Sequence, residues 1–166
     1  MGVFRPDLYR RQLTDLTPAE VTAMGVRALL LDVDNTLSLH HSQTPLPGIP
    51  EWLASMKQAG ILLVIVSNAR KSRVQPFADS LDLPFFWLCK KPLPFSILRG
   101  IRRLGVSKKQ TMLCGDQLFT DMAAGFLAGT KKLLVTPAKP ETGWSFRLRR
   151  RLEKPLLARY TGEEQK

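Results

Sequence analysis

The hydrophobic residues of this chain are concentrated in five short runs with little polar interruption. These runs cover residues 28–31, 61–66, 85–89, 111–114 and 132–135. A short apolar run without polar alternation is typical of a strand whose two faces are both covered. The sequence therefore predicts about five buried strands.

The segments between these runs have the spacing and the end signals of helices. Helices are predicted near residues 18–24, 50–59, 71–81, 95–104 and 120–128. Thr17 and Glu20 have capping-box spacing at the start of the first of them. In the fourth, Phe95, Leu98 and Ile101 recur on one face, which we expect to pack inward. Because strands alternate with helices, the predicted fold class is α/β, with about five parallel strands and helices on both faces.

Polar residues with useful chemistry follow the ends of the predicted strands. They are Asp32 and Asp34 after the first strand, Ser67 and Asn68 after the second, Lys90 and Lys91 after the third, and Asp116 after the fourth. Ligands of open α/β sheets bind beyond the carboxyl ends of parallel strands, which lie along one edge. We therefore expect these side chains to share one cleft.

This set of side chains suits phosphoryl transfer assisted by a hard cation. Mg²⁺ binds through few carboxylates and accepts a phosphate oxygen, and Asp32 and Asp116 could hold it from two different strands. An aspartate can act as the nucleophile and form an acyl-phosphate. A second aspartate two residues on, Asp34, is placed to act as general acid and then as general base. The sequence contains no P-loop, dinucleotide-binding or nucleophile-elbow motif.

The polar segments, taken in order, resemble the four motifs of the haloacid dehalogenase (HAD) superfamily. The matching segments are DVDNTL at 32–37, SN at 67–68, KP at 91–92 and GDQLFTD at 115–121. Over about residues 4–155 the chain looks like the YqeG-type phosphatases of subfamily IIIA, which are similar to mitochondrial phosphatidylglycerophosphate phosphatases. The resemblance implies a HAD-like Rossmannoid domain.

The resemblance also implies which residues are catalytic. Asp32 would be the nucleophile, and Asp34 would be the general acid and base. Lys91, the lysine before proline, would offset the negative charge of the phosphoryl group and the nucleophile. Lys90 stays open as the alternative active-site lysine.

The remaining matched residues would bind the substrate and the metal. Ser67 and Asn68 would bind the phosphoryl oxygens. The Mg²⁺ ligands would be Asp32, the backbone carbonyl of Asp34, and Asp116, with Asp121 in a supporting position. The alternative for Asp121 is a first-turn helix carboxylate stabilised by the helix dipole.

Chain length between the motifs limits what can enclose this cleft. About thirty residues separate Asp34 from Ser67 and about twenty separate Asn68 from Lys90, and each gap must hold a helix. Neither gap has room for a separate cap domain, so we expect a capless site that is open to large substrates.

Charge and cysteine content narrow the partners and the location. The net charge of +11 favours phosphorylated or polyanionic partners and anionic membrane surfaces. Cys89 and Cys114 form no CxxC motif, which predicts reduced core residues of a cytoplasmic protein. We expect the loop histidines His40 and His41 to be solvated, because they lack partners at metal-ligand spacing.

The C-terminal segment is basic and has helical spacing before Pro155. Trp144, Leu148 and Leu152 recur every four residues among several arginines, with Glu153 as the one acid between positions 147 and 159. One interpretation is a peripheral segment that binds anionic phospholipid at a membrane surface. The other is a helix that packs on the domain through its three apolar residues. Nucleic acid is a less favoured partner.

These observations predict three regions and one leading function. The regions are a basic lead-in with a short helix (1–25), the HAD-like core (26–140) and the basic C-terminal segment (141–166). The leading function is a Mg²⁺-dependent phosphomonoester hydrolase that works through an aspartyl-phosphate, on a large or membrane-borne substrate such as phosphatidylglycerophosphate. The alternative is a basic RNA- or ribosome-binding protein with a vestigial or auxiliary HAD site.

Overall fold

In the described part of the chain, a six-stranded parallel sheet forms the centre of the molecule. The computed structural model describes residues 2–139, 151–155 and 158. The strands are β1 (Leu8–Arg10), β2 (Ala28–Leu31), β3 (Leu62–Val66), β4 (Phe85–Phe86), β5 (Thr111–Gly115) and β6 (Lys131–Val135), in the order β1-β6-β5-β2-β3-β4. The single α/β domain with a parallel sheet is therefore confirmed, with six strands rather than five.

Five α-helices connect the strands within the described residues. They are α1 (Pro18–Ala23), α2 (Ile49–Gln58), α3 (Lys71–Ser80), α4 (Phe95–Leu104) and α5 (Ala123–Ala128), and a π-helical turn (Leu118–Met122) leads directly into α5. The Thr17 side chain accepts a hydrogen bond from Glu20 N at the start of α1, as the capping-box spacing predicted. Pro76 lies inside α3, beyond its first turn.

The two faces of the sheet are covered by different helices. Leu29 and Leu31 belong to an apolar cluster that includes buried residues of α1, α2 and α3. Leu30, between them, belongs to a second cluster with buried residues of α4 and α5. Successive strand residues point to opposite faces, so a strand with helices on both sides must be apolar throughout. The prediction of helices on both faces is confirmed.

Three local predictions about elements differ from the structure. Leu8–Arg10 forms the edge strand β1, to which the sequence analysis assigned no element; it pairs with β6. The run 85–89 forms only the two-residue β4, because Leu88 has a φ of 45° and so does not continue an extended strand. Phe95 is 67% exposed and does not pack inward; the buried positions of α4 are Ile97, Gly100 and Ile101.

The described part of the C-terminal segment is a short helical piece at 151–155. Leu152 is exposed there, whereas Glu153 is fully buried. The interpretation that Leu152 packs on the domain is therefore wrong, and the contact is made by the acid instead. Trp144 and Leu148 lie outside the described residues, as does most of the proposed lipid-binding segment. None of the described helices combines the length and the apolarity that crossing a membrane requires.

Candidate active site

Three aspartates meet at the carboxyl ends of the two central strands. Leu31 of β2 pairs with Cys114 of β5, and Asp32 N continues this ladder by donating to the Cys114 carbonyl at 3.0 Å. Side-chain oxygens of Asp32, Asp116 and Asp121 all lie within 4.8 Å of one another. All three residues are buried, with at most 7% exposure. The predicted convergence of strand ends thus brings Asp32 and Asp116 together and adds Asp121.

Asp121 comes from the π-helical turn after β5 rather than from a strand end. Its Oδ2 accepts a hydrogen bond from Gln117 N at 3.2 Å. Gly115 lets this carboxylate approach, because a Cβ at position 115 would overlap the Asp121 side chain. Asp121 therefore closes its own helical turn and also belongs to the carboxylate cluster.

Lys91 lies between two of these carboxylates. Its Nζ donates to Asp32 Oδ1 at 2.7 Å and to Asp121 Oδ1 at 2.6 Å, and its side chain is 2% exposed. Burial by itself lowers the pKa of Lys91, but the carboxylates of Asp121 and Asp32 outweigh burial and raise this pKa above its usual value. Lys91 is therefore a permanent ammonium in this cluster. Lys90, the alternative lysine, is exposed.

Burial disfavours the charged form of Asp32 as well, and here burial prevails. Loss of solvation raises the pKa of Asp32 to about 7, although the Lys91 ammonium opposes this rise and the Asp121 carboxylate adds to it. The three carboxylates and one ammonium leave two net negative charges when all are ionised. A divalent cation would balance that charge.

Ser67 and Asn68 hold the segment that carries Lys91. The Asn68 side chain accepts from Lys91 N at 2.8 Å and donates to the Lys91 carbonyl at 3.1 Å. Cys89 N donates to the Ser67 carbonyl, and the Ser67 hydroxyl oxygen accepts from Ala69 N. The side-chain amide of Asn68 thus positions the lysine backbone, and both residues line the same cavity as Asp32. Their binding to phosphoryl oxygens stays a prediction.

Asp34 faces this cavity but stands apart from the three clustered carboxylates. Arg73 Nη2 donates to Asp34 Oδ1 at 2.9 Å and to Ser38 Oγ at 2.8 Å. His40 Nδ1 lies 3.8 Å from the same carboxylate oxygen. The Asp34 side chain is therefore held by a cation at the cavity wall, two residues after Asp32.

These residues surround an open cavity of about 580 Å³. Its lining includes Asp32, Asp34, Ser67, Lys91 and the two histidines His40 and His41. All residues between Asp34 and Lys91 are described, and they form only loops, α2, β3, α3 and β4. No inserted domain covers the cavity from these segments, as the motif spacing predicted.

Comparisons with known proteins agree with this geometry. Residues 3–129 match the family of haloacid dehalogenase-like hydrolases. The chain belongs to this family. It is 32% identical to the probable phosphatase YqeG of Bacillus subtilis over 155 residues, which cover 93% of this chain and 90% of that protein. It is 33% identical to the phosphoglycolate phosphatase of Aquifex aeolicus over 100 residues, 55% of this chain and 46% of that one.

A solved structure shares the fold at low identity. The cobalt-bound form of the deoxy-D-mannose-octulosonate 8-phosphate phosphatase YrbI from Haemophilus influenzae superposes with a TM-score of 0.55 and 16% identity. The match covers 68% of this chain and 69% of that chain. It supports the HAD-like fold class and nothing finer.

Sequence reasoning missed two groups that contact the site of this HAD-like hydrolase. Arg73 lies inside α3, so its pairing with Asp34 is visible only once the loop after β2 is placed. His40 is an exposed loop residue, as predicted, but it also lines the cavity and its Nδ1 lies 3.8 Å from the Asp34 carboxylate. The sequence offered one signal for Arg73, a basic residue in the first turn of the helix that follows Ser67-Asn68. Basic residues at such positions are too common to predict a contact with the site.

Sequence reasoning also missed Glu153, which comes from the C-terminal segment and contacts the helical stretch that carries Asp121. Its Oε1 accepts hydrogen bonds from Leu118 N at 3.1 Å and from Phe119 N at 3.3 Å. These are first-turn amides of the helical stretch that carries Asp121, where a carboxylate is favoured by the helix dipole. The acid therefore fastens the C-terminal segment to the segment that positions Asp121.

The cysteines do not take part in this arrangement. Cys89 and Cys114 are both buried free thiols, as predicted. Burial raises the pKa of each thiol above its usual value, so neither supplies a thiolate near neutral pH.

The carboxylate cluster fits a hard divalent cation. Oxygen-only ligands and compensating negative charge are what Mg²⁺ and similar ions require, and the residues that could hold one are Asp32, Asp116 and Asp121. Asp34 could add only its backbone carbonyl, because its carboxylate points to Arg73.

Proposed function

We propose that this HAD-like hydrolase is a Mg²⁺-dependent phosphomonoester hydrolase that works through an aspartyl-phosphate on Asp32. The observation that supports this most directly is the buried cluster of Asp32, Lys91, Asp116 and Asp121, two of whose members, Asp32 and Lys91, line an open cavity. The names of the curated relatives, a probable phosphatase and a phosphoglycolate phosphatase, support the same reaction type.

In this proposal Asp32 attacks the phosphorus atom with a carboxylate oxygen. Its neighbour Lys91 stays protonated and offsets the charge of the carboxylate and of the phosphoryl oxygens. Ser67 and Asn68 border the space that the phosphoryl group would occupy, and we propose that they bind its oxygens. A bound Mg²⁺, held by Asp32, Asp116, the Asp34 carbonyl and a supporting Asp121, would withdraw negative charge from the phosphoryl group.

Asp34 supplies the proton chemistry in this proposal. Its carboxyl group protonates the leaving oxygen, and the resulting carboxylate then takes a proton from the water that hydrolyses the acyl-phosphate. Asp34 lines the same cavity as Asp32, two residues further along the chain, which supports this assignment. Lys90 has no part in the proposal because it is exposed.

The substrate that we propose is phosphatidylglycerophosphate, a phosphomonoester borne on a membrane lipid. The support comes from the sequence likeness to subfamily IIIA and its mitochondrial relatives, from the uncovered cavity, and from the net charge of +11. An open site lets a head group enter while its acyl chains stay in a bilayer. The protein would then act in the cytoplasm at the membrane surface.

The test is phosphate release by Asp32→Asn with Mg²⁺ and phosphatidylglycerophosphate in detergent micelles. Loss of the nucleophile should reduce turnover at least about a thousandfold. Asp79→Asn, which changes an exposed aspartate of α3 in the same way, is the matched control and should retain activity. Normal release by Asp32→Asn, with an unchanged melting temperature, would refute the assignment. Hydrolysis of soluble phosphomonoesters but not of the lipid would refute only the substrate.

A further inference from the structure

Four large apolar side chains stand exposed in the loop before α4 and at the first position of that helix. Trp87, Leu88, Leu93 and Phe95, here called the apolar rim, are exposed by 42%, 51%, 46% and 67%. Single exposed hydrophobic residues are ordinary, whereas a cluster within nine residues marks an interaction surface.

Hydrogen bonds fix the backbone of this segment to the loop after β3. Leu88 N donates to the Ala69 carbonyl at 3.0 Å, and the Asn68 side chain holds both backbone groups of Lys91. Leu88 and Lys90 have φ values of 45° and 54°, in the left-handed region that residues with side chains rarely adopt. The backbone that turns Lys91 inward therefore turns its neighbours outward.

The apolar rim adjoins the mouth of the candidate active site. Leu88 lines the same cavity as Asp32. Leu93 N donates to the Lys90 carbonyl at 2.9 Å, so a tight turn connects Leu93 to Lys91, which also lines this cavity. Whatever binds the rim is held next to the cavity opening.

The chain segment that carries the rim bears only positive charges. Residues 83–103 contain five lysines and arginines and no aspartate or glutamate, and all of these cations except Lys91 are exposed. The guanidinium carbons of Arg99 and Arg103 lie 5.4 and 5.9 Å from the ring centroid of Phe86, the residue before Trp87. Lys71 Nζ lies 5.1 Å from the centroid of the Trp87 ring, so a further cation sits directly at the rim.

Aromatic and aliphatic tips surrounded by lysine and arginine match the chemistry of an anionic bilayer surface. The apolar side chains can enter the boundary between head groups and acyl chains, while the cations pair with anionic head groups. A second copy of this chain would bring the same positive surface to the contact, which charge repulsion opposes.

From these observations we propose that the apolar rim docks the protein on an anionic lipid bilayer, with the cavity opening held against the head groups. This inference rests on the proposed function, because docking on the bilayer would bring membrane-borne phosphomonoesters to Asp32. It places the membrane contact in the loop before α4 and at the start of that helix, whereas one of the two interpretations of the sequence places it in the C-terminal segment.

The test is co-sedimentation of the full-length protein with vesicles of phosphatidylglycerol and phosphatidylcholine in equal parts. Wild type should pellet with these vesicles and much less with phosphatidylcholine alone. Leu93→Ser/Phe95→Ser should lower the partition coefficient at least about tenfold, because both side chains lose their transfer into the bilayer boundary. Phe95→Ser alone, which changes the most exposed rim residue, should give a smaller loss in the same direction.

A matched control removes the same two residue types from another exposed site. Phe126 and Leu127 of α5 are 38% and 55% exposed, and Phe126→Ser/Leu127→Ser should bind vesicles like wild type. Leu93 and Phe95 do not line the cavity, so their double variant should hydrolyse a soluble ester such as p-nitrophenyl phosphate at the wild-type rate.

Several results would overturn the inference. The first is failure of the wild-type protein to bind the anionic vesicles. The second is an equal loss of vesicle binding in both double variants. The third is unchanged vesicle binding by Leu93→Ser/Phe95→Ser, which would show that another surface binds the bilayer. A dimer of wild type that Leu93→Ser/Phe95→Ser dissociates would assign the rim to a second copy. Phosphate release without vesicle binding would overturn this inference but not the proposed function. Vesicle binding without any phosphate release would overturn the proposed function but not the docking of the rim on the bilayer.

Discussion

Replacing Lys91 by methionine would remove the positive charge between Asp32 and Asp121 while keeping a side chain of similar length. The lysine makes two buried, charge-assisted hydrogen bonds, of 2.7 and 2.6 Å. Bonds of this kind contribute about 1.5–3 kcal/mol each, which gives about 3–6 kcal/mol for the pair. Loss of one partner from a buried ion pair costs a similar amount, about 3–5 kcal/mol.

We expect a value near the lower end of that range, about 3 kcal/mol. The pKa of Asp32 is already raised to about 7 by burial, so without the lysine this carboxylate can take up a proton at little cost near neutral pH. A loss of about 3 kcal/mol should lower the melting temperature of a domain of this size by about 6–12 °C.

The assay is urea unfolding at pH 7 in the presence of a chelator, followed by circular dichroism. Lys90→Met is the matched control, because Lys90 is the exposed neighbour in the same loop, and it should change the free energy of unfolding by less than about 0.5 kcal/mol. If Lys91→Met unfolds at the wild-type urea concentration, the buried ion pairs do not contribute as reasoned.

The effect of Mg²⁺ on the melting temperature provides a second test with the same variant. Lys91→Met leaves three clustered carboxylates without their ammonium, so added Mg²⁺ should raise the melting temperature of the variant more than that of wild type. The variant should nevertheless release little phosphate, because stability is restored without the lysine that faces the phosphoryl group. An equal Mg²⁺ effect on both proteins would contradict the proposed position of the metal.

Three further predictions follow from contacts at the same end of the sheet. Glu153→Gln removes the negative charge from the amides that begin the helical stretch carrying Asp121; it should cost about 1–2 kcal/mol in urea unfolding, and an unchanged midpoint would contradict the capping role. Gly115→Ala places a Cβ on the Asp121 side chain; it should destabilise the fold by about 1–3 kcal/mol and raise the Mg²⁺ concentration needed for half-maximal phosphate release, and wild-type values of both would show that Asp121 moves freely. In the presence of a chelator, the pKa of Asp32 is about 7 in the folded protein and about 4 in the unfolded chain. Protonation of Asp32 therefore contributes to the free energy of unfolding fully below about pH 4, and this contribution is lost as the pH rises to about 7. The total loss should be about 2–4 kcal/mol. Mg²⁺ should therefore stabilise the protein more at pH 8 than at pH 5, and equal stabilisation at both values would contradict a site made of ionised carboxylates.

Local pattern was sufficient for most of the fold because the sheet is parallel and covered on both faces. Every central strand must then be an unbroken apolar run, which is visible in the sequence at Leu29–Leu31 and in the runs that follow. Helix limits were predictable where a cap residue marks them, as at Thr17 and at Gly105, which ends α4. The convergence of Asp32 and Asp116 followed from topology alone, since neighbouring parallel strands end at one edge.

Features that depend on distant contacts were not predictable in this way. β1 contains only three residues and has no apolar run, and it becomes a strand because β6, more than 120 residues later, offers an unpaired edge. Phe95 has helical spacing with Ile101, but it lies at the first position of α4, where the described residues leave it 67% exposed. The pairing of Arg73 with Asp34 likewise needs a loop and a helix to be placed in space.

The sequence by itself determined the class of fold, the order of the motifs and the edge of the sheet at which their acids and lysines meet. Tertiary structure alone decided which lysine enters the cluster, because the left-handed turns at Leu88 and Lys90 send Lys91 inward and its neighbours outward. It also decided that Glu153 binds the helix start beside Asp116 and Asp121. Periodicity in the sequence indicates which residues share a face of one element. The position of Lys91 and the contact of Glu153 depend instead on how separate elements pack against each other.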